Sequence, residues 1–397
     1  MDEKEAFLIL NMLEGIGPVT VRKLLDEYGS AAAVFEQSPR SLDLFPDIGG
    51  AEPGRRRRAG SPGSRLLDWE SQVDLKGELR LIRASGVTIL TLTDPDYPSF
   101  LREIHDPPLV LYVRGDAGCL KRRCLSVVGS RRTTEYGRST ASHIAASLAG
   151  MGIGVVSGGA RGIDTAAHWG ALNAGGATVA VLGHGFSQVY PSENRGLFEK
   201  IAESGALVTQ FPFRRRGDRQ TFPIRNRIVA GMTMGTVVIE ANRWSGAMIT
   251  ARMAIESGRQ VFAVPGAFGD EHSSGSNQLI RDGAILIDSM EPIQEELASL
   301  FPLPMAGQSF SPGPGVTKMN PEAEDDGAGG VSLPSDMPEA DLQVAGLLRT
   351  ACGDVALDDL IYRSGLPVPV VQTALTRLQM RGLVEGRGGG CFRFVTG

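Results

Sequence analysis

The sequence predicts an open α/β fold: a largely parallel, doubly wound sheet, with a small helical domain before it and a helical unit after it. Three observations lead there. Short apolar or β-branched runs recur between Leu125 and Val264, each followed by an amphipathic helical pattern. Glycine-rich turns follow several of these runs. A stretch rich in Pro, Gly, Ser and acid then separates a short terminal segment from the rest.

Residues 1–45 read as short helices, in a helical domain expected over 1–80. Leu13 to Thr20 joins two helical patterns, the second running from Val21 to Tyr28. Gly15 and Gly17 permit a tight turn whose amides open the next helix, an arrangement that suits a phosphate and resembles a helix-hairpin-helix or SAM-like module. Such turns are also common as plain structure. Residues 46–66, with the run Arg55 to Arg58 in a Gly/Pro setting, read as a solvated loop.

The sheet domain is expected over 81–290. Val87 to Leu92 and Leu109 to Val113 are its first strands. Strands at Leu125 to Val128, Gly154 to Ser157, Thr178 to Leu182, Ala206 to Thr209, Thr236 to Glu240 and Gln260 to Val264 alternate with helices near 136–150, 162–174, 194–204, 225–232 and 247–257. Short apolar strands alternating with helices imply a parallel sheet covered on both faces. Residues 291–338 form an acidic linker after one possible helix, EPIQEELASL. In 339–397, three helices (Glu339 to Arg349, Leu357 to Arg363, Val368 to Arg381) precede a hairpin over Leu383 to Val395 with Gly386 to Gly390 at its tip. That order suggests a winged helix.

The net charge of −5 conceals an uneven distribution. Residues 119–290 hold 19 Lys/Arg against 12 Asp/Glu, while 291–340 hold one against nine. A basic body beside an acidic linker can attract phosphate locally, although many surface arginines only decorate solvent faces. No run approaches the roughly 18 apolar residues of a membrane span. The acidic start, MDEKEAFLIL, lacks a signal peptide's basic region, so the cytoplasm is expected. Cys119, Cys124, Cys352 and Cys391 contain no C-x-x-C pair, and the five histidines are scattered. Neither a metal site nor a disulfide framework is expected.

Ligands of open α/β sheets bind beyond the carboxyl ends of the strands. In order, those ends carry Gly129-Ser130-Arg131-Arg132, Ser157 to Asp164, Gly183-His184-Gly185 with Tyr190 to Arg195, Phe211 to Arg216 with Phe222 to Arg227, Ser245 to Thr250, and Pro265-Gly266-Ala267. Glycine admits close approach of amides, helix N-termini add partial positive charge, and arginine grips phosphate oxygens in pairs. One such turn is weak evidence, since glycines also serve helix–sheet packing. Several on one edge, interleaved with arginine, indicate an extended anion site.

Other chemistries fit less well. Gly129-Ser130-Arg131 is not G-x-G-x-x-G, and Ala180 to Gly183 stands where a ribose-binding acid belongs. No Walker pattern occurs. His168 reads as a packed helix residue, Asp164 as a helix cap or a partner of Arg161, and Glu240 as a loop anchor rather than a base. The alternative from another class is a phosphoribohydrolase of small nucleotides on a similar fold. It needs PGGxGTxxE, and Ser157 to Asp164 lacks both the proline and the spaced glutamate.

The strings VVGSR (Val127 to Arg131), SGGARGID with a later histidine (Ser157 to His168), GHG and YPSEN (Gly183 to Asn194), FPIRNRIVAG (Phe222 to Gly231), EANRWSGAMITA (Glu240 to Ala251), VFAVPG (Val261 to Gly266) and GSNQLIRDGA (275–284) stand in one collinear order. They resemble the DNA-processing protein A family, DprA or Smf. The resemblance implies a Rossmann-like sheet domain with a C-terminal winged helix, and a role without catalysis or cofactor. It further implies single-stranded DNA as ligand, homodimers formed through the sheet domain, and loading of the recombinase RecA during natural transformation. It makes Arg131 and Arg195 DNA-contacting residues, with Gly129, Ser130, Gly158 and Asn194 in the same pocket. Arg161 and Arg225 add charge on the physical reading, while Phe186, Tyr190 and Phe222 offer faces for stacking or simply pack loops. One departure is Gln210 of Thr209-Gln210-Phe211, where the family usually carries an acid.

Overall fold

The computed structural model divides into two units, Met1–Gly307 and Gln308–Gly397. It describes residues 1–41, 62–300, 337–350, 355–364, 366, 368–381, 383–387 and 391–394. The Arg55–Arg58 run, most of the acidic linker and the hairpin tip at 388–390 lie outside the described residues.

In the first unit the strands are β1 (Thr88–Thr91), β2 (Val110–Gly115), β3 (Cys124–Val128), β4 (Gly154–Ser157), β5 (Thr178–Val181), β6 (Ala206–Thr209), β7 (Gly235–Val238), β8 (Gln260–Ala263) and β9 (Ile285–Leu286). They form one sheet in the order β1-β2-β6-β5-β4-β3-β7-β8-β9. β1, β2 and β6 pair antiparallel, and the other neighbours are parallel, with Leu125 opposite Val155 on one side and Gly235 on the other. The doubly wound parallel sheet is therefore as expected, extended by an antiparallel edge.

Strand alternation divides the core between two faces. Leu125 and Val127 of β3 join a cluster with α8 (Glu135–Gly150) and α9 (Ile163–Asn173). Cys124 and Val128 join another with α11 (Thr221–Gly231), α12 (Gly246–Glu256) and α13 (Ser274–Arg281). α10 (Arg195–Ser204) covers β5 and β6 through Leu197, Phe198 and Ile201. From β3 the chain proceeds through β4 and β5 to β6, then returns to lay β7 on β3's other side. The loops leaving β3 and β7 thus diverge, opening a crevice at this switch point.

The N-terminal helices are α1 (Glu3–Met12), α2 (Pro18–Tyr28), α3 (Ala31–Ser41), α4 (Pro62–Leu67), α5 (Trp69–Gln72) and α6 (Leu75–Ser85), with the short α7 (Ser99–Arg102) after β1. Phe7, Leu10, Val21 and Leu24 share one core with Val110 and Tyr112 of β2, so this layer caps the antiparallel edge. The expected turn at Gly15 is present, with φ +75°, and Arg65 Nη1 donates to Glu14 O across it at 2.8 Å. α14 (Glu291–Leu300) ends the described part of this unit.

The second unit has α15 (Glu339–Thr350), α16 (Leu357–Ser364) and α17 (Val368–Met380), with β10 (Val355–Ala356), β11 (Val384–Arg387) and β12 (Cys391–Phe394) ordered β10-β12-β11. This is a winged helix. Gly386 and Arg387 belong to β11 rather than to the tip, because Gly386 pairs with Phe392 and Arg387 with Cys391.

Candidate nucleic-acid interface

Two loops and a helix build the crevice, and bonds fix the backbone of both loops. The loop after β3 is tied to the end of β7. Ser130 N donates to Glu240 O at 2.6 Å, Thr133 Oγ1 to Glu240 Oε2 at 2.6 Å and Thr134 N to the same oxygen at 2.9 Å. Thr134 Oγ1 also bonds Glu240 Oε1. Burial would raise this carboxyl, but the threonine bonds outweigh it and hold the group below the usual carboxylate range. Glu240 is thus the loop anchor the sequence suggested.

The loop after β4 packs backbone to backbone on the first. Gly162 has φ +77°, and a Cβ there would lie 2.3 Å from Ser130 O. Ile163 N donates to Ser130 O at 3.2 Å. Asp164 neither caps its helix nor orients Arg161. Its Oδ2 accepts from Gly158 N at 3.1 Å and Ala160 N at 3.2 Å, closing the turn. Arg161 instead points outward and pairs with Glu193, both being exposed.

The third element is α11, which starts earlier than expected. Pro223 fits its first turn, where an amide would have no partner, and the start at Thr221 brings Phe222 into the helix. Its Arg225 is 5% exposed and lies against Gly158, where a Cβ would come within 1.3 Å of Nη1. Arg225 Nε is buried without a hydrogen-bond partner. Burial pushes the guanidinium down to about 10; Asp164 opposes the shift and Arg131 adds to it. Burial likewise pushes the Asp164 carboxyl up, against the pull of Arg225. Both charges are therefore incompletely compensated, and the guanidinium retains a free donor.

Above this floor Arg131 lies over the Phe222 ring, 5.2 Å from its centroid, and Tyr190 lies on Phe222 at 5.6 Å between centroids. His184, against the carbonyls of Gly185 and Tyr190 at 3.0 and 3.3 Å, steadies the loop that carries Tyr190.

Two adjoining cavities share Arg131, Arg132, Ala160, Phe222 and Arg225. The smaller, about 190 Å³, lies between the β4 turn with Arg161 and the Tyr190-Pro191 loop. The larger, about 490 Å³, reaches across the switch point to Asn242, Ser245 and the start of α12. Among the described residues, Asp164 is the only acid lining either, against five arginines including Arg219.

The structure thus gathers Gly129, Ser130, Arg131, Gly158, Arg161 and Arg225 around the two cavities. Asn194 lies beneath, buried, its Nδ2 donating to Gly159 O at 3.0 Å and Thr165 Oγ1 at 2.9 Å. Arg195 is exposed at the start of α10 and lines neither cavity. Phe186 packs on Phe213 near the N-terminal helices. Ser245, at the strand end the sequence marked, lines the larger cavity with a hydroxyl that is buried without a partner, and Arg219 and Asn242 join it there although the sequence did not single them out. The departure at Gln210 leaves its loop anchored: Gln210 Oε1 accepts from Arg227 Nη2 at 2.6 Å, and Asp106 supplies an acid to Arg227 at 3.1 Å.

Fold and site together define a doubly wound α/β protein whose switch-point crevice is lined for an anion. A family model described as DNA recombination-mediator protein A matches residues 88–298, and one described as DprA winged helix domain matches 340–390. DNA processing protein DprA of Bacillus subtilis is 38% identical over 220 residues, covering 55% of this chain and 74% of that protein. Protein Smf of Escherichia coli is 38% identical over 300 residues, 75% of each chain. The X-ray structure of DNA processing protein A from Streptococcus pneumoniae aligns with a TM-score of 0.63 at 31% identity, covering 75% of this chain and 99% of that one. The chain belongs to the DNA-processing protein A (DprA/Smf) family.

Proposed function

We propose that this protein binds single-stranded DNA along the switch-point crevice and acts in DNA processing as a recombination mediator, without catalysing a reaction itself. The arrangement of Arg131, Phe222 and Tyr190 above the unpartnered Arg225 carries this reading. A cation seated on aromatic rings gives a backbone contact and a base-stacking face together, the combination single-strand binders use. A duplex hides its base faces and cannot use the stack.

The acids near the crevice support a role without chemistry. Asp164 is committed to two amides and Glu240 to Thr133 and Thr134, while His168 is buried away from both cavities. Loading of RecA onto the bound strand, homodimerisation through the sheet unit and a cytoplasmic location complete the proposal. Among the described residues no helix is long and apolar enough to cross a membrane.

Titration of labelled oligothymidylate at two salt concentrations tests the reading. Affinity is expected to fall with salt at a log–log slope of about −0.7 per phosphate contacted. Arg131→Ala is expected to weaken binding by about 10- to 100-fold, since a charge-assisted contact and the cation on Phe222 go together. Salt-independent binding, or an Arg131→Ala protein of normal affinity, would reject it.

A further inference from the structure

Trp244 is 94% exposed, so its indole contributes almost nothing to this fold. It stands in the loop after β7, and Asn242 and Ser245 on either side of it line the larger cavity. Its backbone is nonetheless fixed: Trp244 N donates to Asn242 Oδ1 at 3.0 Å and Ser245 N to Asn242 O at 3.1 Å. A large aromatic displayed on a rigid turn is suited to a ligand with a flat face.

The surroundings specify that ligand's charge. Arg243 is exposed next to Trp244, and Arg132 and Arg219 line the cavity beside it. Arg225 and Ser245 line the cavity, and their Nε and hydroxyl are buried without a partner, while the eleven-residue α12 begins there without a side-chain cap. An apolar protein surface would leave these donors buried and unpaired. A phosphate would fill them.

We propose, resting on the single-strand reading above, that Trp244 is a second base-stacking platform. The strand then crosses the switch point, with one base at Phe222 and Tyr190, a phosphate in the larger cavity and a later base on Trp244.

The chain has three tryptophans, Trp69, Trp169 and Trp244. In a W69F/W169F protein, Trp244 is the sole source of tryptophan fluorescence. Oligothymidylates from about 4 to about 16 nucleotides, the span of single-strand site sizes, are titrated against it. The shortest are expected to bind without quenching, and quenching is expected once the strand is long enough to reach Trp244. Trp244→Ala should weaken the longer oligomers by about 5- to 100-fold, leave the shortest unchanged and remove the gain with length. Trp244→Phe should retain most of that gain.

Binding weakened by Arg131→Ala as expected above, with no quenching at any length and no effect of Trp244→Ala, would overturn this proposal and leave the single-strand reading standing. Failure of the unmodified protein to bind any oligomer at low salt would remove both. If Trp244→Ala alters sedimentation rather than affinity, Trp244 is a contact between copies and the proposal fails.

Discussion

In the winged helix, Arg377 reaches Asp341, buried at 1% exposure, through two bonds: Nε to Oδ2 at 2.8 Å and Nη2 to Oδ1 at 2.6 Å. In the sheet unit, Arg225 is nearly as buried as Asp341, yet its Nε has no partner and Asp164 directs its carboxylate oxygen to two amides instead. The first pair satisfies itself and serves the fold. The second leaves a cationic donor unpaired in a residue that lines the cavities, a costly state unless a ligand offsets it. The contrast separates arginines that hold structure from those held ready.

The largest expected difference is in acid. All five histidines lie between 105 and 272, and the winged helix has none. His168 is wholly buried in α9, with Nδ1 bonded to Thr178 Oγ1 at 2.7 Å. That hydroxyl donates to Val155 O at 2.8 Å, so the ring proton sits on Nδ1 and Nε2 is left buried without a partner. Burial, aided by Arg225, depresses the ring to about 3. The unfolded chain takes this proton near 6.5, and the folded chain resists it until about 3. Stability of the sheet unit is therefore complete above about 6.5 and falls as pH drops, by about 1.4 kcal/mol per pH unit and up to about 5 kcal/mol in all. Asp164 and Glu78, whose carboxyls burial raises, offset part of this at the acid end. All three tryptophans lie in the sheet unit, so urea unfolding followed by their fluorescence reports that unit directly. The midpoint should fall between pH 7 and pH 5, and His168→Asn should flatten the dependence. A midpoint equally steep in the variant would show that His168 is not the cause.

Next in size are changes at the floor of the crevice. Gly158→Ala forces a methyl into the Arg225 guanidinium. It is expected to cost about 1 to 3 kcal/mol of stability through overpacking and to reduce affinity for a single strand by displacing the donor. Arg225→Met separates the two effects. Removing an incompletely compensated buried charge should change stability by no more than about 1 kcal/mol, since Asp164 keeps its two amide donors, while affinity falls about 10- to 100-fold with the lost charged contact. Asp341→Ala is the counterpart in the winged helix. It leaves Arg377 without its acceptors and should speed hydrogen exchange in α15 and α17 while binding in the crevice is unchanged. A matching loss of stability in Arg225→Met would erase the distinction between the two arginines.

The sheet was legible because its strands are short, apolar and buried on both faces, and because glycine-rich turns mark their ends. What the sequence left hidden concerns direction and depth. Arg225 reads as one of several arginines that add charge at the strand ends, and nothing in a string of letters reveals that Gly158 makes room for its guanidinium. Asp164 looks like a helix cap because it stands near a helix start, but its carboxylate turns back to Gly158 and Ala160. Arg195 follows the YPSEN segment closely, yet that segment runs under the β4 turn through Asn194 and leaves Arg195 outside the cavities. Trp244 lies inside a motif-bearing stretch, and exposure, its distinguishing property, belongs to the folded chain.

The smallest effect should come from Arg161. It sits in the most glycine-rich turn and lines the smaller cavity, which gives it a claim to the strand. Its guanidinium is already paired with Glu193, however, and both side chains are about half exposed. A strand phosphate would have to displace a carboxylate that bonds equally well in solvent, so little free energy separates the two states. Arg161→Ala should therefore lower affinity by no more than about threefold, within the range of exposed ion pairs. Glu193→Gln, which frees the guanidinium without removing it, should raise affinity slightly and steepen the salt dependence by about 0.7. If Arg161→Ala instead matches Arg131→Ala, the ion pair opens on binding, and an outward-facing arginine must be counted with those held ready.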